Sequence, residues 1–271
     1  MNRFSLNHAT TKHWNVLDAI DECARLGIGI GLWRDSVAEA GIATVAAAVR
    51  DAGVTVTSLC RGGFLTDRDG GIDDNRAAIE EAAQLGTRVL VMVCGGIGEG
   101  NDDIEQSRDV LAQRLRLLVP HAREHGVQLA IEPLHPMFAS DRSVVSTLDQ
   151  ALDIAEPYTP ADVGVVIDTY HVWWDPTVWS AINRAGRAGR IAAFQVADWV
   201  TPLPAGVLTG RGQLGDGCVP LRRFQRAVDA AGYRGPVEVE LFNDEIWARP
   251  GPQVLDETLA RYRAHVEITS A

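Results

Sequence analysis

The sequence is almost devoid of lysine and is sparing with cysteine. Of its 25 basic residues only Lys12 is a lysine, so an enzyme that forms a Schiff base has a single candidate nucleophile, soon after the first strand. The four cysteines are scattered without a CxxC pair, which indicates buried or incidental thiols rather than a disulfide framework.

Long apolar runs and basic stripes are also missing. No apolar stretch reaches the roughly 18 residues that a membrane span needs, and the N-terminus lacks the core of a signal peptide. We therefore expect a cytoplasmic protein with no membrane partner. A formal net charge of -11 argues against nucleic acid as a partner, although local basic residues could hold a small anion.

Short β-branched runs alternate with longer segments of helical period, which is typical of a parallel α/β fold. Eight such units can be counted. The strands are predicted at Phe4 to His8, Gly27 to Trp33, Val54 to Cys60, Arg88 to Cys94, Val127 to Glu132, Val163 to Asp168, Ile191 to Val196 and Val237 to Leu241. The main helices are predicted at Ser36 to Ala52, Asp73 to Leu85, Asp103 to His125, Pro220 to Ala231 and Gln253 to His265.

Eight units without a Pro-rich or Ser-rich linker favour one closed (β/α)8 TIM barrel, a single domain over residues 1–271, instead of a doubly wound open sheet. The glycine clusters CGGIGEG and GRGQLGDG lack the strand, GxGxxG and helix context of a dinucleotide site. Their position after the fourth and seventh strands indicates mobile loops at the barrel mouth.

Four consecutive strands end in a residue that can bind a metal ion. They are Glu132 in VQLAIEP, Asp168 in VGVVIDTYH, Gln195 in IAAFQVAD and Glu240 in VEVELFN. The carboxyl ends of barrel strands build active sites, and a buried carboxylate costs free energy unless it is paired or coordinated. Any one acid alone could equally cap a helix or pair with an arginine, but four adjacent strand ends favour a shared site.

These motifs, together with IEPLHP, IDTYHVWWD, FQVAD and GRGQLGDG, resemble the xylose-isomerase-like sugar isomerase and epimerase family over nearly the whole chain. The resemblance implies that Glu132, Asp168, Gln195 and Glu240 bind one divalent metal ion. It also implies that His171 and Arg211 contact substrate oxygens, and that the protein forms a homodimer or homotetramer.

Most sugar epimerases of this family carry histidine where this chain has Gln195. The FQVAD motif looks instead like the hydroxypyruvate isomerase branch, which acts on short hydroxy-carbonyl acids, whereas GRGQLGDG resembles sugar epimerases equally well. Three carboxylates and one amide oxygen suit hard cations, Mg²⁺ or Mn²⁺, better than zinc. That ligand set requires the four side chains to converge, with Gln195 facing inward and the acids not neutralised by arginines.

We expect an isomerase or epimerase of a small sugar, ketose or hydroxy-keto acid that works through a metal-stabilised enediolate. Glu132 and Glu240 are expected to remove and return the proton from opposite sides of the substrate. A lyase of the inosose dehydratase kind, or a barrel that binds a metabolite without turnover, are the alternatives.

Two further residues are candidates for substrate binding. Arg61, in LCRGG, is an alternative anion contact at the end of the third strand. His8 ends the first strand, where it could line the pocket or serve a structural role. His171 could equally be a surface histidine of a loop, and Arg211 a solvated loop charge.

Overall fold

A computed structural model describes residues 3–98, 100 and 103–268 and shows eight parallel strands closed into a barrel. The strands of the barrel are β1 (Phe4–Asn7), β2 (Gly29–Trp33), β3 (Val56–Gly63), β4 (Val89–Val93), β5 (Gln128–Glu132), β6 (Val163–Asp168), β7 (Ile191–Val196) and β10 (Val237–Val239). A two-stranded antiparallel ribbon, β8 (Asp198–Trp199) and β9 (Arg211–Gly212), lies between β7 and β10 along the chain. The predicted barrel is confirmed.

Helices connect the strands around the outside of the barrel. They are α1 (Val16–Leu26), α2 (Arg34–Ala40), α3 (Ile42–Ala52), α4 (Ile72–Gln84), α5 (Ile104–Glu124), α6 (Leu148–Ala155), α7 (Thr169–Val172), α8 (Val178–Arg187), α9 (Leu221–Ala230), α10 (Asp244–Trp247) and α11 (Gly251–His265). Short 3-10 helices occupy His8–Thr11, Pro136–Phe138 and Val207–Thr209. None of the helices in the described ranges is long and apolar enough to cross a membrane.

The helix predicted over Ser36 to Ala52 is two helices. Gly41 ends α2 and precedes α3 with φ of 86° and ψ of 123°, a backbone conformation that only glycine adopts without strain. The periodic alanines and valines on both sides of this residue hide the break in the sequence.

The core has two apolar layers. The larger lies between the strands and the helices, and the smaller fills the barrel with short side chains from five strands, Cys60, Val91, Ala130, Val166 and Ala193. Because alternate strand residues point inward, the inward positions nearer the carboxyl ends of the strands are left for polar groups. The polar site therefore lies next to the inner apolar layer, on the side of the carboxyl ends of the strands.

Candidate functional site

Strand register sets a row of polar side chains at the upper end of the barrel. Asp168 on β6 pairs with Gln195 on β7, which pairs in turn with Glu238 on β10. Glu132 ends the neighbouring strand β5, and Glu240 lies two residues beyond Glu238 on the same side of the chain. All five side chains are buried, with 5% or less of each residue exposed.

The structure brings two of these acids and His171 to ion-binding distance. One ligand atom each from Glu132, Asp168 and His171 lie within 4.8 Å of one another. Two buried oxygens, Glu132 Oε1 and Gln195 Oε1, have no hydrogen-bond partner. Buried polar atoms are almost always paired, so unpaired oxygens facing an acidic cluster fit a cation. The donor set therefore supports a divalent metal ion at the barrel mouth.

Arg211 lies among these acids, which differs from the expectation of a mobile loop residue. Its Nη1 donates to Asp168 Oδ2 and to Glu240 Oε2, each at 2.8 Å. The guanidinium also packs against the rings of Tyr170 and Phe242, 4.9 and 5.0 Å from their centroids. The requirement that no arginine neutralises the acids is thus not met for two of the four predicted ligands.

One guanidinium does not balance the cluster. Ionised Glu132, Asp168, Glu238 and Glu240 would leave three negative charges in excess over the charge of Arg211. Burial raises the pKa of Glu132 well above its usual range, and nearby Glu240 and Asp168 raise it further. Burial raises the pKa of Glu240 to about 7, although Arg211 opposes that shift. Either protons or a further cation must offset this charge.

His171 is oriented by the loop after β5. Its Nδ1 lies 3.2 Å from the backbone nitrogen of His135, whose N–H donates to it. Burial lowers the pKa of His171 well below its ordinary value, and nearby Arg211 lowers it further, so the ring is neutral. Nε2 lies 3.2 Å from Arg211 Nη2, whose N–H is directed at it. A neutral imidazole has one unprotonated nitrogen, so the tautomer decides whether His171 accepts from His135 or from Arg211.

The sequence analysis missed Glu238 and Asn7. Glu238 accepts hydrogen bonds from Asn7 Nδ2 at 2.8 Å and from Gln195 Nε2 at 2.8 Å. It also accepts bonds from Thr57 Oγ1 and Ser58 Oγ. The signal that could have found Glu238 is the alternation in VEVELF, which places it on the same face of the chain as Glu240.

The two remaining candidates lie in different surroundings. His8 is buried in the first 3-10 helix, and its Nε2 lies 3.0 Å from the carbonyl oxygen of Trp14, a contact typical of a structural histidine. Arg61 on β3 places its guanidinium 4.2 Å from the ring centroid of Phe64. Phe64 packs onto an apolar cluster of Val93, Leu134 and Phe138, and the Phe138 ring meets that of His171 edge-on at 5.7 Å.

The loop containing GRGQLGDG is packed into the molecule, contrary to the mobile loop expected. Arg211 and Gly212 pair with Trp199 and Asp198 in the antiparallel ribbon, and Leu214 is fully buried. Asp198 accepts hydrogen bonds from the backbone N–H groups of Gly215 and Val219. These bonds hold Arg211 in place over the acids. Lys12, the one Schiff-base candidate, is exposed, with its Nζ 4.6 Å from the Trp247 ring centroid.

Comparison with known proteins bears on the kind of chemistry. A model of the xylose isomerase-like TIM barrel family matches residues 17–265. The 3-dehydroshikimate dehydratase of Pseudomonas aeruginosa is 33% identical over 175 residues, 62% of this chain and 25% of that protein. The inosose isomerase of Bacillus velezensis is 26% identical over 179 residues, 65% of this chain and 61% of that protein.

A solved structure matches over nearly the full length. Protein SMc04130 from Sinorhizobium meliloti 1021 is 44% identical, with a TM-score of 0.94 over 98% of this chain and 99% of that one. The chain spans about a quarter of the length of the dehydratase that it matches.

Proposed function

This chain belongs to the xylose isomerase-like TIM barrel family, and from that premise we propose that it moves protons on a small hydroxy-carbonyl compound with one divalent metal ion. Isomerisation or epimerisation of a small sugar, ketose or hydroxy-keto acid is the reaction we favour. The observation that supports this proposal is the buried set of Glu132, Asp168, Gln195 and Glu240, with more acid than Arg211 can neutralise.

We propose that these four side chains hold the ion, and that it is Mg²⁺ or Mn²⁺. Their donor atoms are all oxygens, the ligands that hard cations prefer. When bound, such an ion supplies Lewis acidity, since it draws electrons from a carbonyl oxygen and makes the neighbouring C–H group more acidic. Arg211 has to give up at least part of its contact with Asp168 or Glu240 for the ion to reach them.

Glu132 and Glu240 are our acid and base. Both carboxyls are buried, and without a bound ion burial raises the pKa of each, that of Glu240 to about 7, so each can take up and release a proton. One removes the proton from the carbon beside the carbonyl. The other returns a proton to the neighbouring carbon in an isomerisation, in which the hydroxyl proton also moves to the former carbonyl oxygen, or to the opposite face of the same carbon in an epimerisation.

His171 and Arg211 are our substrate contacts. His171 Nε2 and Arg211 Nη2 lie 3.2 Å apart, so one substrate oxygen can contact both groups. Arg61, at the end of β3 against Phe64, is our contact for an anionic end of the substrate. His8 retains a structural role in this scheme, since its Nε2 is engaged with Trp14.

A dehydratase is the second candidate, favoured by the 33% identity to 3-dehydroshikimate dehydratase. The first step is the same removal of a proton beside the carbonyl. The hydroxyl group on the next carbon then leaves as water, taking a proton from the second glutamic acid. The product is a conjugated enone, which absorbs in the ultraviolet.

The experiment is a screen of ketoses, hydroxy-keto acids and an inosose in heavy water with Mg²⁺ or Mn²⁺. We expect deuterium in the recovered substrate or product, measured by mass spectrometry and NMR. The Glu240→Gln variant should lose exchange by about 10²-fold or more, because positioned acids and bases contribute that much to proton transfer. Exchange at the wild-type rate in this variant would exclude the proposed role of Glu240.

Three outcomes separate the alternatives. An enone absorbance with loss of one water identifies a dehydratase, whereas a product whose mass differs from the substrate only by the exchanged deuterium identifies an isomerase or epimerase. Failure of every compound to exchange in metal-loaded protein, together with tight binding of one of them, identifies a barrel that binds a metabolite without turnover.

A further inference from the structure

A second group of metal-binding side chains lies on the outer wall of the barrel, between α4 and α5. One ligand atom each from Glu80, His121 and His125 lie within 4.8 Å of one another. Glu80 belongs to α4, whereas His121 lies in the last turn of α5 and His125 is its C-cap residue. Residues four apart on a helix share one face, so the two imidazoles are neighbours, with ring centroids 4.4 Å apart.

From this arrangement we infer that Glu80, His121 and His125 form a binding site for a borderline divalent ion, with Zn²⁺ as the best match. Two imidazole nitrogens and one carboxylate oxygen, completed by water, are a common ligand set for zinc. Ni²⁺ and Cu²⁺ also bind imidazole pairs. The site is separate from the barrel mouth and does not depend on the function proposed above.

The hydrogen bonding leaves the right nitrogens free. His125 Nδ1 lies 2.9 Å from the carbonyl oxygen of His121, and since a carbonyl only accepts, Nδ1 carries the hydrogen. Nε2 of His125 therefore has a free lone pair in the neutral ring. His121 Nε2 is buried and lies close to Glu80 Oε1, without the geometry of a hydrogen bond between them.

The distances match the ion. His121 Nε2 lies 3.2 Å from Glu80 Oε1. Two ligand atoms at zinc bond lengths of about 2.0–2.1 Å around a tetrahedral ion are about 3.3 Å apart. This edge of the site is thus already formed, and a ring nitrogen of His125 lies within 4.8 Å of both other ligand atoms. The side chains of Glu80 and His121 are 50% and 23% exposed, so an ion can enter from solvent.

We expect an ion bound at this site to link α4 to α5. An ion that binds the folded chain and not the unfolded one stabilises the fold by mass action. These helices pack directly on each other around β4. Zinc should therefore raise the melting temperature of the protein.

The test is zinc binding to the metal-free full chain by equilibrium dialysis, with Mg²⁺ present in excess to hold the barrel mouth. We expect one zinc ion per chain in the wild type. The variant His121→Ala/His125→Ala should bind at least tenfold more weakly and lose the zinc-dependent rise in melting temperature. Glu80→Gln should weaken binding to a smaller extent, because one of three ligands is changed.

The matched control is His265→Ala, which removes a different exposed histidine at the end of a helix. It should bind zinc as the wild type does. Histidine ring NMR signals of His121 and His125 should shift on zinc addition, whereas that of His265 should not. Equal zinc binding by the wild type and the double histidine variant would overturn the inference, as would shifts confined to His171.

Discussion

Glu238 decides which atom of Gln195 faces the other acids. As a carboxylate it only accepts, so the Gln195 amide turns its nitrogen toward Glu238 and its oxygen away. Asn7 Nδ2 is held in the same way between Glu238 and Glu240. Glu238 therefore acts through Gln195 and Asn7, as a positioning residue for the proposed metal ligands.

The first prediction tests this orientation. In Glu238→Gln, an amide group faces the donors of Asn7 and Gln195, so the Gln195 amide loses its single preferred orientation. We expect Mg²⁺ or Mn²⁺ affinity to fall about tenfold, the lower end of the range for residues that orient metal ligands. Isothermal titration calorimetry of the metal-free protein measures this, with Glu22→Gln on α1 as the control. Unchanged affinity would show that Gln195 needs no orienting group.

At the scale of the elements, β2 comes very close to the acidic row. Gly31 on β2 pairs with Asn7 on β1, and a Cβ atom on Gly31 would lie 2.5 Å from the Glu238 carboxylate carbon. Glycine is therefore required at this position for a steric reason. Because Gly31 of β2 has no side chain, the Glu238 carboxylate can occupy the space beside it.

The second prediction follows from that space. Gly31→Ala should displace Glu238 and destabilise the protein by about 1–3 kcal/mol, the usual range for overpacking a core. Chemical denaturation measures the change in the free energy of unfolding. Combining Gly31→Ala with Glu238→Asp should cost less than the sum of the two changes, because the shorter side chain makes room for the new methyl group. Strict additivity would exclude the clash as the cause.

The elements that could be predicted from the sequence are those with a local signal. Buried parallel strands are apolar runs, so the ends that place Glu132, Asp168 and Gln195 were predictable. The break at Gly41 was not, since helical periodicity continues on both sides of it. The position of Arg211 depends on the ribbon formed with Trp199, a pairing that no local pattern reveals.

The polar residues inside the barrel also divide into those with a local sequence signal and those without one. Glu132, Asp168 and Glu240 were singled out from the sequence because a carboxylate after an apolar run is unusual. Glu238 was missed because it lies within a strand that was judged by its apolar residues. The shared contacts of Arg211 with Asp168 and Glu240 join residues 43 and 29 positions apart, so only the fold brings them together.

At the scale of the whole molecule, the acidic site makes stability depend on pH. Burial raises the pKa of Glu132 in the folded protein above its ordinary value near 4.5. A raised pKa means that the folded state holds a proton that the unfolded state releases, so this stability is lost as pH rises. The opposite effect comes from His171, whose pKa is lowered by burial, so a comparison between variants is needed.

The third prediction uses Glu132→Gln, which cannot titrate at this position. In the absence of divalent ions, the variant should become steadily more stable relative to the wild type as pH rises from 5 to 8, while the contribution of the histidines cancels in the difference. Denaturant titrations across this range measure it. Saturating Mg²⁺ should reverse the trend, because the ion stabilises the ionised wild-type site. A pH-independent difference without metal would contradict the raised pKa.

The proposed zinc site on the outer wall of the barrel affects how the catalytic metal ion is identified. With both proposed sites occupied, a sample purified from cells would hold zinc at His121 and His125 and Mg²⁺ or Mn²⁺ inside the barrel, so elemental analysis would report a mixture. Zinc that is lost when His121 and His125 are replaced is no evidence for the metal ion used in the reaction. Only the metal ions retained by a variant that lacks His121 and His125 are candidates for the catalytic ion.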